Sequence, residues 1–187
     1  QYGLGVSGVS AAETNDYDMT DAITGIDIQT EVDGEWQSII QTYSLDAPTV
    51  SKNAPIRVAI EYEPSELSDK FNVGDTIYYD LPNGITVTTK QTGDVYDGPT
   101  VVGQYVINQD GSIVITLTNE KYLQNSAGKL KEGTVSFDGR FNGEQWGTGG
   151  DKEIVFGDIT LGIRFEQDQI EPKCTVNVTK SVTELAI

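Results

Sequence analysis

IRVAIEYEPSEL at residues 56–67, FNVGDTIYYDLPNGITVTT at 71–89, VVGQYVINQDGSIVITLTNEKYL at 101–123 and GTVSFDGRF at 133–141 alternate apolar and polar residues at period two. Each piece is bounded by Gly, Pro, Asn or Asp. Strands with one buried and one solvated face leave this signature, because successive side chains point to opposite sides of a sheet. Working outward, Ile26, Ile28, Thr30 and Val32 form an earlier face that turns at Asp33-Gly34, a pair suited to a tight hairpin. Trp36, Ile39 and Ile40 continue beyond that turn. Ile154, Phe156, Ile159, Leu161, Ile163 and Phe165 supply the last apolar faces. Residues 91–99 carry Gly93, Asp94, Asp97, Gly98 and Pro99 and read as a polar loop. Only residues 119–124 read as helix, and Pro64 to Lys70 as a loop or a single helical turn. About ten strands spaced by turn signals predict an all-β sandwich, although period two does not by itself exclude a closed barrel.

The order of these pieces resembles the Ig-like adhesive domains of Gram-positive cell-wall-anchored surface proteins, the collagen-adhesin and fibrinogen-adhesin class. Gly74-Asp75-Thr76-Ile77, Leu81-Pro82-Asn83-Gly84-Ile85, the run from Val106 to Thr118, and Gly133-Thr134-Val135-Ser136-Phe137 carry the likeness. It covers roughly residues 50–165 and is a pattern of strands and turns. The resemblance implies an Ig-like antiparallel β-sandwich with little helix. It also implies a non-catalytic ligand-binding domain at the cell surface, attaching to a host-matrix protein or a glycan. Ligands of that class lie across a sheet face or in a trench between neighbouring domains. A stalk domain that only projects a distal binder is the alternative, and a carbohydrate-active enzyme a more distant one.

Three segments follow from the patterning. Residues 1–22 lack sustained periodicity and read as a flexible leader or one extra strand. Residues 23–166 form the sandwich, and 167–187 a linker followed by a terminal strand at 174–182. That strand either completes this domain's own sheet or opens a following domain. No basic-then-apolar leader stands at the start, so any sorting signal or wall anchor is expected outside this chain.

Charge and composition exclude several functions. Twenty-nine acids against 12 bases give a net charge of −17. This is the wrong sign for nucleic acid or an anionic membrane surface, and it suits a soluble extracellular protein. No stretch of 18 apolar residues is present to span a bilayer. With no histidine and one cysteine, Cys174, the chain has no Ser–His–Asp or Cys–His system and no intrachain disulfide. Neither a cofactor nor a metal is expected. Asp16, Asp18 and Asp21 lack the glycine and distal glutamate of a calcium loop. Asp94 with Asp97, and Glu144 beside Trp146, are the acid pairs a glycosidase would need, and solvated loop acids are the plainer reading.

Aromatic side chains are the candidate ligand contacts: Trp36, Tyr96, Tyr105 and Trp146. Trp146 lies in the glycine-rich run Asn142 to Gly150, where it is either a plug at the end of the sandwich or an exposed platform. Many domains of the resembled class cross-link a strand lysine to an asparagine. The first strand, Gly25 to Val32, has no lysine for that bond. Lys180 resembles the lysine that opens the small repeats of such proteins, its partner then falling beyond Ile187.

Overall fold

The computed structural model describes residues 13–43 and 46–169. The terminal strand at 174–182, Cys174 and Lys180 therefore lie outside the described residues. Within them the chain forms twelve strands: β1 (Asp16–Asp18), β2 (Ile23–Val32), β3 (Glu35–Ser38), β4 (Pro55–Tyr62), β5 (Thr76–Asp80), β6 (Ile85–Thr86), β7 (Gln91–Asp97), β8 (Thr100–Ile107), β9 (Ser112–Leu117), β10 (Thr134–Phe141), β11 (Gly150–Phe156) and β12 (Ile159–Phe165). One α-helix, α1 (Glu120–Asn125), begins at Asn119, whose side chain accepts from the Tyr122 N–H. One sheet runs β1-β5-β9-β8-β7, a second runs β3-β2-β4-β10-β6, and β11 pairs with β12 in a hairpin. All these pairings are antiparallel except β1 with β5. The fold is the expected all-β, Ig-like sandwich.

The core is built by the alternating faces read from the sequence. Ile56, Val58, Ile60 and Tyr62 are buried on β4, opposite Val135 and Phe137 of β10, and Phe141 is buried opposite Ile85 of β6. From the first sheet come Ile77, Tyr79, Ile113, Ile115 and Leu117. The Asp33-Gly34 turn has both residues at positive φ, 53° and 84°, which matches its backbone twist to that of the flanking strands. After β3 the chain crosses between sheets. The Ile39 N–H still bonds to Ile28 on β2, whereas the Gln41 N–H bonds to Gly162 on β12.

Before residue 23, β1 is an extra strand paired with β5, and Met19 and Ala22 are core residues. The structure differs from the sequence reading in one place. Residues 91–97 are a strand, not a loop, and extend the first sheet at its edge. Their alternation is hidden because the inward positions hold Gln91, Gly93, Val95 and Asp97, only one of them apolar. Asp97 is buried there because its carboxylate accepts from the Tyr122 hydroxyl and from the Lys131 and Glu132 N–H groups. A buried charge is retained when donors surround it in this way. Asp75 is likewise enclosed, accepting from the Asn15 and Asn72 N–H groups.

Trp146 closes one end of the sandwich. Its ring stacks on Phe165 at 4.8 Å between centroids and meets Phe141 edge-on at 6.1 Å, and its Nε1–H donates to the Gly84 carbonyl at 3.2 Å. Gly84 has φ +104°, and a Cβ on it would lie 2.1 Å from the indole. Overpacking and left-handed strain then add. Gly84→Ala is expected to cost about 2–4 kcal/mol, read as a lowered midpoint in denaturant unfolding monitored by tryptophan fluorescence.

Candidate functional site

Register fixes what the second sheet presents on its outer face. Asp27 of β2 stands opposite Ala59 of β4, and Ala59 opposite Ser136 of β10. In the adjacent row Ser38, Gln29, Arg57 and Asp138 are successive cross-strand partners. In-register partners share a face, so a low row of small side chains runs beside a tall one. The result is an open trench of about 480 Å³ running across the strands, with Gln91 and Tyr105 at one side.

Those two residues come from the first sheet, where β7 lies against the β10 edge. The Gln91 side chain behaves as a short piece of strand. Its Nε2 donates to the Asp138 carbonyl at 2.7 Å, and its Oε1 accepts from the Asp138 N–H at 2.9 Å. Tyr105 leans across Gly93, its register partner on β7, where a Cβ would lie 2.5 Å from the ring. Burial pushes the Tyr105 hydroxyl above its ordinary range, and the nearby Asp138 and Asp94 carboxylates push it further.

Two features give the trench its electrostatics. The Arg57 guanidinium lies 4.0 Å over the Trp36 ring and 3.4 Å from the Asp138 carboxylate. Both members of that ion pair are well exposed, so the bond itself contributes little. Asp27 is different. Its Oδ1 is shut away from solvent with no hydrogen-bond partner, and so is the Ser38 hydroxyl on the neighbouring strand. A buried acceptor without a donor costs about 1–3 kcal/mol.

The four aromatics expected from the sequence fall in different places. Tyr105 lines the trench, and Trp36 borders it through Arg57. Tyr96 is 50% exposed but points away, since the inward positions around it on β7 are Val95 and Asp97. Trp146 is a core plug and offers no face to a ligand, because Phe165, Phe141 and Gly84 occupy its surroundings. Sequence reasoning missed Asp27, Arg57, Gln91 and Asp138. The first two sit in Ile26-Asp27-Ile28 and Ile56-Arg57-Val58, where a polar residue signals a wet face and nothing more.

The proposed acid pairs separate as well. Asp94 is exposed and accepts from Gln104 Nε2, while Asp97 is buried under three donors. Glu144 is exposed beside the buried Trp146. Asp16 and Asp18 accept from the Thr76 and Thr20 hydroxyls, and no group of three or more acids among the described residues is placed to hold a metal ion.

No family model and no curated protein matches this sequence. Among solved structures the chain is similar to the collagen binding domain of the Erysipelothrix rhusiopathiae surface protein RspB, with 16% identity and a TM-score of 0.45. The match covers 82% of this chain and 50% of that one, so the chain spans about half its length. None of the helices of the described residues is long and apolar enough to cross a membrane.

Asp97 also sets an alkaline limit on the fold. Its hydrogen bond raises the Tyr122 phenol from 10.0 to about 12, and burial, then the Asp97 charge, raise Tyr62 further. Folded phenols that hold their protons more tightly than unfolded ones stabilise the fold fully below pH 10, and that stability is lost as pH rises through the folded values. Thermal midpoints are expected to be flat to about pH 9.5 and to fall steeply between about pH 10 and 12. Tyr122→Phe is expected to be less stable at pH 7 and to show a shallower alkaline fall.

Proposed function

We propose that this chain is a non-catalytic ligand-binding domain of an extracellular surface adhesin, and that its ligand lies in the trench across the second sheet. The observation that carries this reading is the trench itself: a floor of Asp27, Ala59 and Ser136, with an unmet buried acceptor at Asp27. A groove lined by a few polar groups with aromatic residues at its margin is how proteins commonly hold a ligand. The strand order resembling Gram-positive adhesins and the acidic composition support it from the sequence side. A non-catalytic role is supported by the lack of histidine and by Asp97, whose oxygens are already committed to backbone and tyrosine donors. Partners on this reading are an extracellular host protein or glycan and neighbouring domains of the same surface protein. Attachment to the cell wall would come from regions outside this chain.

A stalk domain is the second reading, and the burial of Trp146 favours it, because only Trp36 remains as a partly open indole. The two part on one variant. Ala59→Trp places an indole on the trench floor without touching the core. Surface changes of this kind alter stability by only about 0.5 kcal/mol. Binding of the intact chain to immobilised extracellular-matrix proteins or to a glycan array is expected for the wild type and to weaken by more than about tenfold in the variant, as blocking a central contact does. A wild type that binds nothing at micromolar concentration, or a variant that binds equally well, leaves the stalk.

A further inference from the structure

The trench carries a chemical preference of its own, which rests on the functional reading above. Two carboxylates face it from adjacent rows, and they are treated differently. Asp138 is answered from within the chain by Arg57, whose guanidinium sits between that carboxylate and the Trp36 ring. Asp27, one row away, has no such answer, and its Oδ1 is buried and unpartnered. The floor between them is Ala59 and Ser136, small enough to leave room for an incoming side chain. The whole chain carries −17, so its field concentrates cations and repels anions. A neutral hydroxyl could donate to Asp27 but would draw nothing from that field, whereas a guanidinium or ammonium gains from both.

We propose that the trench selects a cationic side chain, an arginine or lysine projecting from an extended peptide segment. Its N–H groups meet the Asp27 carboxylate where that side chain lines the trench, and its aliphatic stem lies along Ala59. Arg57 beside Asp138 is the internal precedent for the same arrangement.

The test uses the intact chain and three fluorescein-labelled, Gly-Ser-spaced nonapeptides bearing two arginines, two citrullines or two glutamates, read by fluorescence anisotropy. The arginine peptide is expected to bind about tenfold or more tightly than its uncharged citrulline isostere, and the glutamate peptide not at all. Asp27→Asn is expected to weaken the arginine peptide by about tenfold and leave the citrulline peptide unchanged. Asp69→Asn, an exposed acid outside the trench lining, controls for general charge attraction and should change neither. Ala59→Lys places the chain's own ammonium beside Asp27 and should abolish arginine-peptide binding, a second route if Asp27→Asn does not fold. Equal binding of arginine and citrulline peptides, equal losses from Asp27→Asn and Asp69→Asn, or no binding of the arginine peptide would each overturn the proposal. So would a neutral glycan that binds the wild type and is lost in Asp27→Asn. If an extracellular protein is lost on Ala59→Trp but indifferent to Asp27→Asn, this inference fails and the trench still binds. Indifference to Ala59→Trp removes the functional reading itself.

Discussion

The register between β4 and β10 is the constraint on which the rest of this structure depends. Val58 opposite Phe137 and Ile60 opposite Val135 place large apolar side chains inside. The same register sets Ala59 opposite Ser136 and Arg57 opposite Asp138 outside. Slipping the pair by one residue would exchange the two faces, exposing the core and burying Arg57 and Asp138 without water. The hydrophobic effect at the inner positions, worth about 25 cal/mol per Å² of apolar surface, therefore specifies the outer surface as well. The trench is a by-product of core packing that needs no free energy of its own to position its floor.

That floor would be only a wet sheet face without the contact between the two sheets' edges. An unpaired strand edge exposes N–H and C=O groups that attract other chains. Here the β10 edge at Asp138 is satisfied by the Gln91 amide, which supplies one donor and one acceptor at strand spacing. Bringing β7 this close also brings Tyr105 over Gly93 to the trench margin. Any side chain at 93 would push the ring away. Edge protection and site construction are thus one arrangement, and neither Gln91 nor Gly93 has an obvious role until the strands are placed.

Fold class was legible in the sequence because period-two alternation reports burial directly. Ile56, Val58, Ile60 and Tyr62 are all buried, and the Asp33-Gly34 turn and the short helix after Asn119 stand where expected. Strand β7 was not legible, because inward Gln91 and Asp97 are stabilised by hydrogen bonds from residues 25 to 47 positions away. No local pattern encodes a long-range donor. The site was less legible still. Tyr105 could be picked out as an aromatic, yet a trench depends on which small residues adjoin which large ones across strands. Ala59 and Ser136 are 77 positions apart (136 − 59) and meet only through register.

Buried polarity divides into two kinds in this molecule, and the division separates structure from site. Asp75 and Asp97 are enclosed and answered by N–H groups, so they hold loops to strands and have no capacity left for a ligand. Asp27 and Ser38 have shut-off oxygens with no donor, on the neighbouring strands β2 and β3, where Ser38 is the register partner of Gln29. Core acids in folded proteins follow the first pattern because an unmet buried group is costly. Side-chain identity cannot distinguish the two kinds, since both are aspartates flanked by apolar residues or turns. Only the donors around each carboxylate do so, and at Asp27, which lines the trench, one oxygen has none.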